Sequence, residues 1–85
     1  MQLTREEIVR RLKEILLDAD ERNAAVIERC DESTQLITEL GLTSVKMLYM
    51  VIAIEEVFGM RFDDVSVGDF VTLGDVVTYI QNKCA

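Results

Sequence analysis

Ser44 is the residue of this 85-residue chain best placed to do chemistry. It follows Leu40-Gly41-Leu42-Thr43 and stands at the head of an apolar run. A hydroxyl at a helix start lies beside backbone N–H groups that have no intrahelical acceptor, and beside the positive end of the helix dipole. Both favour a bound anion. Such a serine is suited to carry a phosphodiester, at an exposed helix end that a modifying enzyme can reach. The same residues also read as a plain helix start, with Ser44 or Thr43 as the N-cap. On these residues alone both readings stand.

Other chemistry is thin. The chain has no His, which excludes Ser–His and Cys–His catalysis. No Gly-rich phosphate loop occurs. Asp63 with Asp64, and Asp69 with Asp75, could be imagined as metal ligands, but carboxylates in such places more commonly cap turns and helices. No metal and no enzyme activity are expected. Cys30 and Cys84 form no CxxC motif, so a zinc site is not expected. Two free thiols in a reducing cytoplasm are the expectation, with a Cys30–Cys84 disulfide as the alternative.

Composition narrows the classes further. Apolar residues make up 49% of the sequence, enough for a globular core. The length predicts one domain over residues 1–85, with little room for an enclosed substrate pocket. The net charge of −7 disfavours nucleic acid and favours basic partner surfaces, although solubility alone also accounts for it. Residues 1–7 run straight into charged side chains, so no signal peptide is expected. The longest apolar run, 47–54, is too short to span a bilayer.

Four helices are predicted to position Ser44. Thr4-Arg5-Glu6-Glu7 reads as a capping box, with Glu7 reaching back to the cap. Ile8, Leu12, Ile15 and Leu16 follow at helical spacing, giving a first helix over about residues 5–17. Residues 18–34 are polar apart from Ala24-Ala25-Val26-Ile27, and their form stays open. Leu36, Ile37, Leu40 and Leu42 are expected to return to the core, with Gly41 marking a break. The second helix is predicted over 44–58, ended by Gly59 in the left-handed conformation. Its period puts Met47, Met50, Val51, Ile54 and Phe58 on the core face and Val45, Tyr49, Ile52 and Glu56 opposite. Exposed apolar surface there would mark an interaction site, unless the 18–34 segment folds back over it. A short third helix is expected over 63–67, with Asp63 as its cap. Thr72 and Asp75 read as the capping box of a last helix whose apolar contacts are Val76, Val77, Tyr79 and Ile80. The fold expected is an all-α four-helix bundle with a short third helix.

The stretch Leu36-Ile37-Thr38-Glu39-Leu40-Gly41-Leu42-Thr43-Ser44-Val45 resembles the phosphopantetheine attachment motif of the acyl and peptidyl carrier proteins. Ile54-Glu55-Glu56-Val57-Phe58-Gly59 is similar to the end of that family's second helix. Thr72-Leu73-Gly74-Asp75-Val76-Val77-Thr78-Tyr79-Ile80 is similar to its last helix. The resemblance covers about residues 33–83, with the three motifs in the family's order. Thr43 stands where the family usually has Asp, and Lys46 and Tyr49 stand where carriers of fatty-acid synthesis tend to have acidic residues. The segment 18–31 exceeds the family's usual first loop.

The resemblance implies a stand-alone carrier, and a monomer in the cytoplasm is expected. Ser44 would hold 4'-phosphopantetheine, transferred from coenzyme A by a phosphopantetheinyl transferase. Its thiol would carry thioester-linked intermediates of fatty-acid-like or polyketide biosynthesis. The partners implied are the transferase, an acyl- or aminoacyl-loading enzyme, and synthase or condensing enzymes. Val45, Lys46, Tyr49, Ile52, Glu55 and Glu56 map to the docking surface. One alternative is an aminoacyl or peptidyl carrier of a nonribosomal pathway, which the less acidic docking helix also suits. Another is an unmodified helical adaptor that binds a protein through Val45, Tyr49 and Ile52.

Overall fold

The computed structural model describes residues 3–63 and 69–83. Among them lie four α-helices and no strand: α1 (Arg5–Ala19), α2 (Ala24–Arg29), α3 (Ser44–Phe58) and α4 (Leu73–Lys83). The third helix expected over 63–67 falls mostly outside the described residues.

α1 is the central element, packing against α2, α3 and α4. Its start follows from Thr4, which is extended and whose Oγ1 accepts the Glu7 N–H at 3.1 Å. Glu7 itself does not reach back to the cap. Its carboxylate is taken by Arg10 and Arg11, its neighbours three and four residues on. Ile8, Leu12, Ile15 and Leu16 are buried as their spacing requires. The helix runs two residues past Leu17, to a cap at Asp20 whose N–H donates to the Leu16 carbonyl at 2.9 Å.

The segment that sequence left open contains a 3₁₀ turn (Glu21–Asn23) and then α2. The apolar island is therefore a separate short helix. It buries Ile27 and is held to α1 by Lys13, whose Nζ donates to the Glu28 carbonyl at 3.0 Å. It does not cover the outer face of α3. Residues 32–36 then run beside the start of α4. The Leu36 N–H donates to Val71 O and the Leu73 N–H to Thr34 O, both at 2.9 Å, forming an isolated antiparallel bridge between Gln35 and Thr72.

α3 ends where expected. Gly59 takes φ 62° and ψ 42°, and its N–H donates to the Glu55 carbonyl. A residue with a Cβ would be strained there. α4 begins at a reciprocal cap. The Asp75 N–H donates to Thr72 Oγ1 at 3.2 Å, and Asp75 Oδ2 accepts the N–H groups of Val71 and Thr72 at 2.9 and 3.0 Å. These bonds hold the Asp75 carboxyl below its ordinary pKa, the one from Thr72 contributing most.

The core joins Ile8, Leu12 and Leu16 of α1, Met50 and Ile54 of α3, and Val76, Val77 and Ile80 of α4. Phe58, assigned to the core face from its spacing, is only half-buried, and Arg11 lies over its ring at 5.9 Å. Tyr79 is half-buried too. It stacks on Phe62 with centroids 5.0 Å apart and meets Phe70 edge-on at 5.7 Å, so aromatic packing fastens the segments before and after the undescribed residues to α4.

Candidate functional site

The loop before Ser44 is anchored by two buried leucines. Leu40 and Leu42 point into the core, with exposed Gly41 between them at φ 65°. That left-handed backbone lets the chain turn between two inward side chains, and it favours Gly. The Gly41 N–H donates to Ile37 O at 3.0 Å and the Leu42 N–H to Leu36 O at 3.1 Å, closing a compact turn. Asn23 Nδ2 donates to the Leu40 carbonyl at 2.9 Å, tying the loop to the 3₁₀ turn. Ile37, expected in the core, is 63% exposed. The turn sends Leu36 and Leu40 inward and leaves Ile37 facing out.

Thr43 and Ser44 divide two roles that sequence could not separate. Thr43 is the N-cap, extended at φ −84° and ψ 168°, and its Oγ1 accepts the Lys46 N–H at 3.3 Å. Its carbonyl accepts the Met47 N–H at 2.9 Å, the first bond of the helix ladder. Ser44 is the first helical residue and is exposed. Its hydroxyl has no hydrogen-bond partner among the described residues. The capping work is thus done by Thr43, and the serine oxygen is left available. The first turn of α3 contains no acidic residue to repel an anion. The residues present therefore fit a phosphodiester on Ser44 Oγ.

The six residues expected at the docking surface all lie on α3. Val45, Tyr49, Ile52 and Glu56 are exposed on the face opposite the core. Lys46 and Glu55, expected to be exposed, are half-buried at its edges, and each has an intramolecular partner. Lys46 Nζ pairs with Asp20 Oδ2 at 2.9 Å, and Glu55 Oε2 accepts the Phe62 N–H at 2.9 Å. One residue on this face went unread in the sequence. Leu48 is 56% exposed, three residues after Val45, and completes a stripe at i, i+3, i+4 and i+7.

Two of the carboxylates read in the sequence have structural roles, and Asp64 lies outside the described residues. Asp75 caps α4, and Asp63 pairs with Lys83 at 2.8 Å. Cys30 is a buried free thiol whose pKa burial pushes up. Cys84 lies outside the described residues. No described helix is long and apolar enough to cross a membrane.

The structure is a small helical bundle with an exposed, unbonded serine at the head of its second long helix, an arrangement compatible with a carrier domain. The comparisons with known proteins agree. The family model described as "Phosphopantetheine attachment site" matches residues 10–80. The chain is 32% identical over 80 residues to the acyl carrier protein of Thermotoga maritima, covering 94% of this chain and 95% of that one. It is 36% identical over 84 residues to the acyl carrier protein of Acidothermus cellulolyticus, covering 96% and 94%. It is 32% identical over 79 residues to acyl carrier protein AcpP of Rhizobium meliloti, covering 93% and 97%. The chain belongs to the phosphopantetheine-binding acyl carrier protein family. Its members are carriers rather than enzymes, and phosphopantetheine is the group they bear.

Proposed function

We propose that Ser44 is the attachment point of the arm, and that the protein carries thioester-linked intermediates of fatty-acid-like or polyketide biosynthesis in the cytoplasm. The observation that supports this most directly is the division of labour at the head of α3. Thr43 caps the helix, so the exposed Ser44 hydroxyl is free to be modified. A phosphopantetheinyl transferase would load it from coenzyme A, and α3 would present it to acyl-loading and condensing enzymes. The bound group supplies a terminal thiol that holds acyl cargo as a thioester. The chain's own residues position the serine and offer a docking face. The carrier contributes by tethering, which raises the effective concentration of cargo at each partner.

Aminoacyl cargo of a nonribosomal pathway is the second reading. It is favoured by Lys46 and Tyr49, which make the docking helix less acidic than the chain as a whole. A third, an unmodified adaptor, draws on the exposed Val45, Tyr49 and Ile52 and needs no chemistry at Ser44. Intact mass separates the adaptor from both carrier readings. With coenzyme A, magnesium and a broad-specificity transferase, the wild type is expected to gain one phosphopantetheine and Ser44→Ala none. A folded wild type that gains nothing, and is not already modified, overturns the assignment.

A further inference from the structure

Ser44 is held from both sides by one short turn at the end of α1, and we infer that Asp20 and Asn23 of that turn are positioning residues for the loading of Ser44. This inference rests on the reading of Ser44 as the attachment point. Asn23 Nδ2 donates to the carbonyl of Leu40, four residues before the serine, at 2.9 Å. Asp20 Oδ2 pairs with Nζ of Lys46, two residues after it, at 2.9 Å. The Asn23 N–H donates to the Asp20 carbonyl at 3.2 Å, and the Asp20 N–H to the Leu16 carbonyl at 2.9 Å. The two grips therefore share one closed turn, fixed to α1 at the fully buried Leu16.

Both side chains are diverted from the work their places invite. Asp20 is the N-cap of the 3₁₀ turn and Asn23 the N-cap of α2, and Asp and Asn are among the best N-cap residues. Neither side chain makes a capping bond. Each reaches instead to a residue beside Ser44. The Asp20 side chain is 14% exposed and that of Lys46 35%, so the pair is screened less than a surface ion pair. A carboxylate this far from water also needs its cation. The Leu40 carbonyl precedes Gly41, whose φ of 65° belongs to a residue with wide backbone freedom. A hold on Leu40 limits that freedom, and a hold on Lys46 fixes the first turn of α3 against the end of α1.

Loading makes this placement matter. Ser44 Oγ bonds to the pantetheine-side phosphorus of coenzyme A, and the bond from that phosphorus to the bridging oxygen breaks. The adenosine bisphosphate leaves with that oxygen, and the serine proton passes to a base on the transferase. Attack needs the serine oxygen in line with the breaking bond, so a serine that wanders reacts slowly even when docked. Asp20 and Asn23 act on this step only through Lys46 and Leu40.

Single-turnover loading by a broad-specificity transferase tests the brace, with wild type, Asp20→Ala, Asn23→Ala and the double variant compared. Glu21→Gln, exposed on the same turn, controls for a lost negative charge, and Ile27→Val, in the buried side of α2, controls for a small loss of stability. Circular dichroism and melting check that each variant is folded at the assay temperature, and the two single variants carry the test if the double does not fold. The double variant is expected to lower the maximal loading rate about tenfold, with each single lowering it in part, while KM for the carrier stays within about twofold. Glu21→Gln and Ile27→Val should load like the wild type. Folded Asp20→Ala and Asn23→Ala variants that load at the wild-type rate overturn the inference. So does a higher KM at an unchanged maximal rate, which would make the two residues part of the surface the transferase touches. Equal slowing in Ile27→Val also overturns it, by tracing the effect to stability alone. A wild type that takes no arm overturns the Ser44 reading itself and this inference with it.

Discussion

Arg5 and Glu32 join the start of α1 to the long connection that leads to Ser44. Arg5 Nε donates to both carboxylate oxygens of Glu32, at 3.0 and 3.2 Å. The same guanidinium reaches Gln81 Oε1 and Thr78 Oγ1 of α4, each at 3.1 Å. One side chain therefore ties three parts of the chain together. The pair is more than a third exposed, so solvent weakens it. Its contribution is expected to be local. Arg5→Met should lower the melting temperature only slightly, while clearly speeding hydrogen exchange of the Gly74 amide, which donates to the Glu32 carbonyl at 2.8 Å. Unchanged exchange at Gly74 would show that Arg5 does not hold this strap.

Gly74 is the second test of the strap. A Cβ there would lie 2.8 Å from the Glu32 carbonyl oxygen, too close for two backbone-fixed atoms. Alanine gains about 1 kcal/mol over glycine inside a helix. Overpacking against rigid backbone costs about 1–3 kcal/mol. The clash should win, so Gly74→Ala is expected to destabilise in urea unfolding, against the usual direction of that substitution. A more stable variant would mean the strap moves aside freely.

Ile52 and Ile54 are two residues apart on α3 and should respond oppositely. Ile54 is fully buried and Ile52 is 51% exposed. Ile54→Ala should cost about 2–5 kcal/mol, a large part of a small domain's stability. Ile52→Ala should cost about 0.5 kcal/mol or less. Similar losses at both positions would mean that the outer face is covered in solution.

Thr43→Ala removes the cap that frees Ser44. The loss is expected to be about 1 kcal/mol. Fraying of the first turn should also slow loading of Ser44. Thr43→Asp, which can still accept the Lys46 N–H, should restore both. Stability and loading rate that stay at the wild-type level in Thr43→Ala would remove the role given to Thr43.

Asp75 predicts part of the acid response. Its carboxyl is held below the ordinary value by the N–H groups of Thr72 and Val71. A depressed folded pKa stabilises the fold above the unfolded value of about 3.9. That stability is lost as pH falls through the folded pKa. Asp75→Asn should therefore flatten the fall in melting temperature below about pH 4. An identical acid profile in the variant would assign the effect to other carboxylates, such as Asp31, whose pKa is lowered chiefly by the Ser33 hydroxyl.

The parts of the fold visible in sequence are those fixed by short-range chemistry. Thr4, Gly59 and the Thr72–Asp75 pair mark helix ends through bonds to residues three or four positions away, so spacing alone reveals them. α3 was legible to the residue for the same reason. α2 was not, because six residues with one buried side chain carry almost no period. Its place is set by Lys13 and Asn23, contacts that no local pattern encodes. Ile37 misled for a related reason: in a turn, side-chain direction follows the backbone bonds of Gly41 and Leu42 rather than hydropathy. At the site, the motif pointed to Ser44, but which hydroxyl caps the helix depended on the backbone angles of Thr43. The Lys46–Asp20 pair was hidden because its members are 26 residues apart (46 − 20) and only the fold brings them together.

The fastening of the loop at Leu40 and Leu36 has a consequence for reach. Asn23 holds one point and the Val71 carbonyl the other, so the turn below Ser44 is a fixed post rather than a flexible stalk. Freedom of movement then belongs to whatever hangs from the serine oxygen. The thiol at its end would sweep a shell about a single pivot, at a radius set by the arm's own length. A partner that docks on α3 would meet cargo delivered from one fixed origin, and moving the pivot by loosening Asn23 would blur that aim without touching the chemistry.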